Sequence, residues 1–377
     1  MVVLTKFVTQ SESHPRAARF ALQAVARELL KNPRLYTCYR YRIPSAITVD
    51  LLYSPEEKRA HYKNLMKCGL QWICPLCASR MSEIKRGELS LALDNARQLF
   101  LPLMVTYTAR HDANMPLRVL LEQMSDAYRY MRQRRLWQTY KSEYLIVGEA
   151  RALEITYGDS GWHPHFHVIV FLDKKVLEYV EHDNVAGLVD LRASLRAALF
   201  PMWLAALRLQ GLDATPEHGL EVTMQWDELS VYLAKFGSEL PKESDGWTMA
   251  HEATKTIVKR AKKGGTTVWE MLLFHYCGLP NWGDLFSEYA KATKGKSILQ
   301  YAPGLKAQLG LQPDDPGELL RDESFSDDIL LGSFDADTWR VIVQAEAVGA
   351  IWDAANTGDP EKLAHVLKKV QSKVYLT

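Results

Sequence analysis

Apolar and polar residues follow two rhythms along this chain. Between residues 14 and 31 (HPRAARFALQAVARELLK) apolar positions recur every three or four residues. This spacing predicts a helix, with Pro15 suited to its first turn. Residues 33–60 show no regular pattern. Met81–Gln98 again has helical spacing, and LPLMVTYT (101–108) is β-rich and alternating, which predicts a strand. Residues 116–141 predict one long amphipathic helix. YLIVGEARALEIT (144–156) and HFHVIVFL (165–172) predict strands, joined by turn chemistry in YGDSG (157–161). A helix over Val185–Gln210 and a strand over 220–226 follow, with Asp227 as the N-cap of a further helix. The order β-α-β-β-α-β-α implies an α+β fold, an antiparallel sheet with helices on one face.

From Pro241 the pattern is helical, with a basic stretch KTIVKRAKKGG at 255–265. Residues 312–328 (QPDDPGELLRDESFSDD) have the composition of an acidic linker. Asp337–Asn356 and Pro360–Lys373 predict a closing helical pair. Four segments result. Residues 1–98 are an N-terminal helical and cysteine-bearing region, and 99–240 are a sheet-and-helix core. Residues 241–311 are a basic helical extension, and 312–377 are an acidic linker and C-terminal helical module.

Composition adjusts this picture in two places. The chain has 377 residues, a length of two or three domains at roughly 150 residues each. With 46 basic and 45 acidic residues its net charge is +1, which taken alone argues against nucleic acid. The sum conceals a division, because residues 1–310 carry +8 and residues 311–377 carry −7. An anion-binding body with an acidic appendage has this signature. It leads to the expectation that removing residues 312–377 leaves DNA affinity equal or higher. The longest nearly apolar stretch, between Arg196 and Arg208, is interrupted by Pro201 and falls short of the roughly 20 residues of a membrane span. The first residues lack secretory-signal character, so a cytoplasmic protein without membrane partners is expected.

Three of the five cysteines fall within ten residues, in KCGLQWICPLCASR. Cys74 and Cys77 have the spacing with which two thiolates grip one Zn²⁺, and Cys68 can be a third ligand. The fourth is Cys38 or His61. The alternative is a redox-active or simply buried pair.

The strongest chemistry lies in GWHPHFHVIVF (161–171). His163, His165 and His167 alternate, so all three project from one face of a strand. Positions i and i+2 lie about 6.6 Å apart, close enough for two imidazoles to converge on one ion. A third at i+4 is too far along to join easily, so His163 is a possible further ligand or else flanks the site or touches substrate. The third ligand should come from a neighbouring strand. If the turn centres on 159 or 160, Glu154 lies opposite His165 and faces the same way. Two histidines and a carboxylate suit Mg²⁺ or Mn²⁺ engaged on phosphate. In WDELSVYLAKFGSEL (226–240), Glu228, Tyr232 and Lys235 share one helix face. A tyrosine can attack a phosphodiester, a lysine can bind the phosphate, and a glutamate one turn away can activate water.

HPHFH followed by Y-x-x-K resembles the HUH endonucleases. The nearer resemblance is to rolling-circle replication initiators of small plasmids, the group with one catalytic tyrosine and a glutamate four residues before it. LMVTYTARHD (103–112) resembles the family's first motif, with Tyr107 where an aliphatic residue is commoner. CGLQWICPLCASR resembles the cysteine motif that precedes the nuclease in many such initiators. KATKGKSILQYAPGLKAQLGL (291–311) resembles a downstream segment, so the resemblance spans about residues 38–311.

The resemblance implies a metal-dependent DNA nickase and strand transferase. Such an enzyme cuts one strand at a double-strand origin through Tyr232, keeps the 5′-phosphate and leaves a 3′-OH to prime synthesis. Glu228 is then the base for water at termination. Origin DNA, single-stranded or hairpin, is the implied partner, with a host helicase and a replication polymerase; homodimerisation stays open. Rival readings are an HUH transposase or relaxase of another mobile element, and a catalytically inactive zinc-containing regulator. GKS (295–297) is not a P-loop, because Ala290 stands where glycine is required. Lys255, Lys259, Arg260, Lys262 and Lys263 are either a solvated helix face or phosphate contacts. Arg129, Arg132, Arg134 and Arg135, interleaved with Tyr128, Tyr130 and Trp137, form a second candidate DNA surface.

Overall fold

Two antiparallel sheets organise the chain in the computed structural model, which describes residues 15–179, 185–223 and 266–374. The first elements are helices α1 (Pro15–Leu30) and α2 (Pro33–Thr37), strands β1 (Val49–Ser54) and β2 (Arg59–Lys63), helix α3 (Pro75–Ala96) and strand β3 (Phe100–Thr108). Helices α4 (Leu117–Gln133) and α5 (Arg135–Glu143), strands β4 (Ile146–Gly158) and β5 (Gly161–Asp173), helix α6 (Val185–Leu209) and strand β6 (Leu220–Thr223) follow. The remainder is α7 (Val268–Tyr276), α8 (Trp282–Ala292), β7 (Leu299–Tyr301), α9 (Leu305–Gln308), β8 (Ile329–Phe334), α10 (Ala336–Gln344), α11 (Val348–Asn356) and α12 (Pro360–Val374).

Contacts divide the chain into two units. One comprises Met1–Met81, Leu272–Gly283 and Asp315–Thr377; the other comprises Ser82–Met271 and Asp284–Asp314. The first unit therefore joins the two ends of the sequence. Its sheet has the order β2-β1-β8, with Val49 opposite Phe334 and Leu52 opposite His61. The β1–β2 hairpin lies where the sequence reads as irregular. Ser54 and His61 are buried on it, so burial does not follow the polar–apolar alternation that marks a strand. Helix α11 crosses α1 closely, because a Cβ on Gly349 would stand 2.7 Å from the Ala17 Cα. Asp353 of α11 accepts the Arg16 and Ala17 amides at 3.1 and 2.9 Å, satisfying the first turn of α1. Trp352 and Trp339 pack edge-on against Tyr62, with ring centres 5.3 and 5.4 Å away. The Trp352 indole donates to the Ala60 carbonyl at 2.7 Å.

The acidic segment is likewise bound into this unit. Glu323 pairs with Arg59 at 2.7 Å and Asp328 with Lys63 at 3.3 Å, while Asp322 pairs with Lys67. Asp327 accepts the Ser54 hydroxyl and the Glu56 amide, both at 2.7 Å. Residues 315–377 are therefore part of the first unit and not a free appendage.

The second unit holds a five-stranded sheet in the order β6-β3-β5-β4-β7. Phe166 and Tyr107 face helices α4 and α6, where Tyr107 lies 5.5 Å from Tyr128 and 5.2 Å from Trp203. The opposite face carries Met104, Ala150, Ala152, Ile169 and Phe171, which pack with Leu89, Ala92, Leu93 and Ala96 of α3. Helices therefore cover both faces, not one as expected, because the histidine-bearing face turns apolar beyond His167 and must be buried there. The helix expected over 116–141 breaks at Arg134, whose backbone is extended. In one continuous helix residues 132 and 137 would point about 140° apart. The break lets the Trp137 ring come within 3.6 Å of the Arg132 guanidinium.

A chain ending at residue 311 is expected to lose the fold of the first unit, since β8 and the aromatic packing of α10 and α11 leave with it. Near-UV circular dichroism and limited proteolysis read this directly; an unchanged protease-resistant N-terminal fragment would contradict it.

Candidate functional site

The β4–β5 hairpin sets the geometry of the histidine row. Gly158 pairs with Gly161, so Asp159 and Ser160 form the turn, and Glu154 falls opposite His165 as the turn chemistry anticipates. On the other side of β5, Thr108 pairs with His165 and Thr106 with His167. All these side chains lie on one face by strand alternation. Thr108 Oγ1 lies 3.0 Å from His165 Nδ1, and Thr106 Oγ1 lies 3.2 Å from His167 Nδ1. These hydrogen bonds hold both rings and leave Nε2 as the functional nitrogen. His167 Nε2 donates to Glu154 Oε2 at 2.8 Å. Carboxylate and imidazole thus already reach a common point, and a divalent cation can take both donors once that proton leaves. Two imidazoles and a carboxylate are a fitting donor set for Mn²⁺ or Mg²⁺.

Burial, reinforced by neighbouring His167, pushes the His165 pKa down to about 4. Burial and then His111 push His163 down to about 4 as well. Both imidazoles are therefore neutral near pH 7, the form that ligates metal.

His111, which was not singled out in the sequence, joins this row. It follows β3, and its ring stands edge-on to His163 with centres 4.0 Å apart. The only sequence signal is its place in TARHD, one residue beyond the strand-ending threonines and alanine-arginine pair. Thr106 and Thr108 are equally inconspicuous without the register.

The cysteine cluster lies in the first unit. Cys38 follows α2, Cys68 lies in the loop after β2, Cys74 precedes α3 and Cys77 sits in its first turn. All four are buried. Among the described residues they are the group of three or more ligand side chains whose atoms all lie within 4.8 Å of one another. Cys38 Sγ lies 3.8 Å from Cys74 Sγ and 3.6 Å from Cys77 Sγ, and Cys68 Sγ lies 3.5 Å from Cys77 Sγ. A tetrahedron with Zn–S bonds of about 2.3 Å has edges of about 3.8 Å, so the spacing fits a metal such as zinc. It is far too wide for a disulfide bond of about 2.05 Å. The Cys77 thiol is held well below its usual pKa by thiol hydrogen bonds from Cys38, then Cys68 and Cys74. Gln23 of α1 donates to the Cys38 carbonyl at 3.2 Å and approaches Cys74 Sγ at 3.6 Å. Cys38, not His61, thus completes the set. His61 Nε2 instead faces Asp328 Oδ2 at 3.4 Å.

Tyr232, Glu228 and Lys235 lie outside the described residues, as do Lys255, Lys259, Arg260, Lys262 and Lys263. Of the second basic candidate, Arg129, Arg134 and Arg135 are exposed. Arg132 is turned inward. Its Nε donates to Glu149 Oε1 at 2.7 Å, and its guanidinium lies 4.5 Å from the Tyr128 ring. Its charge serves an internal ion pair inside an aromatic enclosure, where Tyr128 and Trp137 are also buried.

Residues 61–202 match a protein family described as "Replication protein". Over 374 aligned residues the chain is 24% identical to "Protein rep" of Streptomyces lividans, a match covering 81% of this chain and 79% of that protein. The chain is similar to replication proteins. A shorter match, 28% identical over 134 residues, is to a "Neomycin resistance protein" of Streptomyces cyanogenus and covers 29% of this chain and 31% of that protein. No solved structure matches the chain. The family match contains the histidine row and three of the clustered cysteines but stops before Tyr232. No helix among the described residues is long and apolar enough to cross a membrane.

Purified protein is expected to carry about one tightly held zinc per chain, and Cys68→Ser to lose it. Elemental analysis after dialysis decides this, and zinc content unchanged in Cys68→Ser would refute the cluster. The depressed His163 and His165 pKa values also fix a pH dependence. The unfolded chain takes up protons near pH 6.5 while the folded one does not until about 4, so stability present above pH 6.5 is lost as pH falls across that window. Urea unfolding of His163→Gln and wild type at pH 7 and pH 5 tests it; equal pH dependence would contradict the assignment.

Proposed function

We propose that this protein initiates rolling-circle replication of a plasmid by nicking one strand of origin DNA. One observation carries the reading. His167 and Glu154 are hydrogen-bonded across adjacent strands and His165 is the next residue of the same row, the two rings braced by Thr106 and Thr108, inside the segment similar to replication proteins. A divalent ion, Mg²⁺ or Mn²⁺, held by these three would polarise the scissile phosphate and stabilise the leaving oxygen.

Tyr232 is the proposed nucleophile. Its phenolic oxygen bonds to phosphorus, the P–O3′ bond breaks, and the phenol proton passes to the departing 3′-oxygen. The 5′-phosphate then remains on Tyr232 and the free 3′-OH primes synthesis. Lys235, one turn further along the predicted helix, contacts the phosphate. At termination Glu228 takes a proton from water, which attacks the phosphotyrosine and returns the phenol. Lys255, Lys259, Arg260, Lys262, Lys263 and exposed Arg135 contribute phosphate contacts, while Arg132 organises the sheet behind the site. Zn²⁺ on Cys38, Cys68, Cys74 and Cys77 ties α2, the loop after β2 and α3 together. A host helicase and polymerase act on the nicked DNA in the cytoplasm.

Single-stranded origin DNA incubated with protein and Mn²⁺ should yield a covalent protein–DNA adduct on denaturing gels. Tyr232→Phe should abolish it, and Glu228→Ala should form it while releasing it at least tenfold more slowly. Adduct formation by Tyr232→Phe would remove the nucleophile assignment.

A further inference from the structure

The histidine row extends one residue beyond the strand that carries it. His111 Nδ1–H donates to the Ala109 carbonyl at 3.1 Å, which leaves Nε2 as the ring nitrogen open to a ligand. That Nε2 is buried and has no hydrogen-bond partner. A buried polar atom left without a partner is unfavourable, so an orphan of this kind calls for a ligand. The His163 ring stands edge-on at 4.0 Å between centres, and the His165 ring lies 6.5 Å beyond it.

The close approach is built in from the other strand. Gly161, at φ +89°, faces the loop after β3, where a Cβ would stand 2.9 Å from the Ala113 Cα and 3.0 Å from the Asp112 carbonyl oxygen. Only glycine lets that loop settle against the start of β5, and the loop brings His111 onto His163.

We propose that His111 and His163 hold a second divalent ion, distinct from the one read for His165, His167 and Glu154. Two imidazoles without a carboxylate select borderline transition metals such as Co²⁺, Ni²⁺ or Zn²⁺ over Mg²⁺. The remaining coordination positions are open to water or to a phosphate oxygen of bound DNA. The inference deepens the reading of the histidine row and is independent of the role given to Tyr232.

The test uses Co²⁺ as probe on full-length, zinc-loaded protein, by calorimetry and visible absorption. Wild type should take up two equivalents. His111→Ala and His163→Gln should each lose one, or bind it at least tenfold more weakly. His167→Ala should keep that one and lose the other, which separates failure of this site from failure of the first. Excess Mg²⁺ should not displace the ion held by His111. Unchanged Co²⁺ uptake in His111→Ala, or loss of all uptake in His167→Ala, would overturn the proposal, whereas a single wild-type equivalent that His111→Ala loses and His167→Ala keeps would leave it standing and count against the first site alone. Thermal melting confirms the fold of each variant, and His163→Gln carries the test if His111→Ala unfolds.

Discussion

The register of the β4–β5 hairpin is the constraint on which the site depends. Side chains alternate across a strand, so a slip of one residue would send Glu154 to the face occupied by Phe166 while the histidines stayed. A two-residue turn at Asp159–Ser160 between Gly158 and Gly161 prevents that slip. Gly161 does double duty, because its missing side chain also admits the loop that carries His111. On the far side of β5, its pairing with β3 brings two threonine hydroxyls to the two imidazoles. His163, His165 and His167 are held by a strand rather than a loop, which restricts these three rings to a narrow set of positions.

Behind the site, the opposite face of the sheet is packed with rings. Tyr107 is fully buried between Tyr128 and Trp203 and meets Arg132, which is paired to Glu149. Tyr107 is the position at which the chain departs from the aliphatic residue commoner in the family it resembles. The departure has a local explanation, since a tyrosine there completes the enclosure of a buried guanidinium. An arginine within reach of several aromatic rings reads in sequence like a stacking surface for DNA; burial turns it into packing.

The charge division reads differently once the chain is folded. A body of +8 and a tail of −7 remain arithmetically true. However, Asp322, Glu323 and Asp328 are engaged with Lys67, Arg59 and Lys63 of the N-terminal region. Part of the positive charge counted for DNA is therefore neutralised within one unit. The long-range field of that unit is weaker than the sequence sum implies.

The local periodicity of the sequence was enough to determine the central strands β3, β4 and β5, the flanking helices, and which histidines share a face. Turn residues even located Glu154 opposite His165, and cysteine spacing located three of the four clustered thiols. These features are legible because they depend on contacts a few residues apart. Tertiary structure alone decided the rest. Cys38 joins a cluster whose next member is 30 residues away, β8 completes a sheet begun 280 residues earlier, and Arg132 turns inward at a helix break. His111 meets His163 across 52 residues. Each requires two distant segments to be packed together, and pairing between distant segments leaves no period in the chain for a sequence reading to detect.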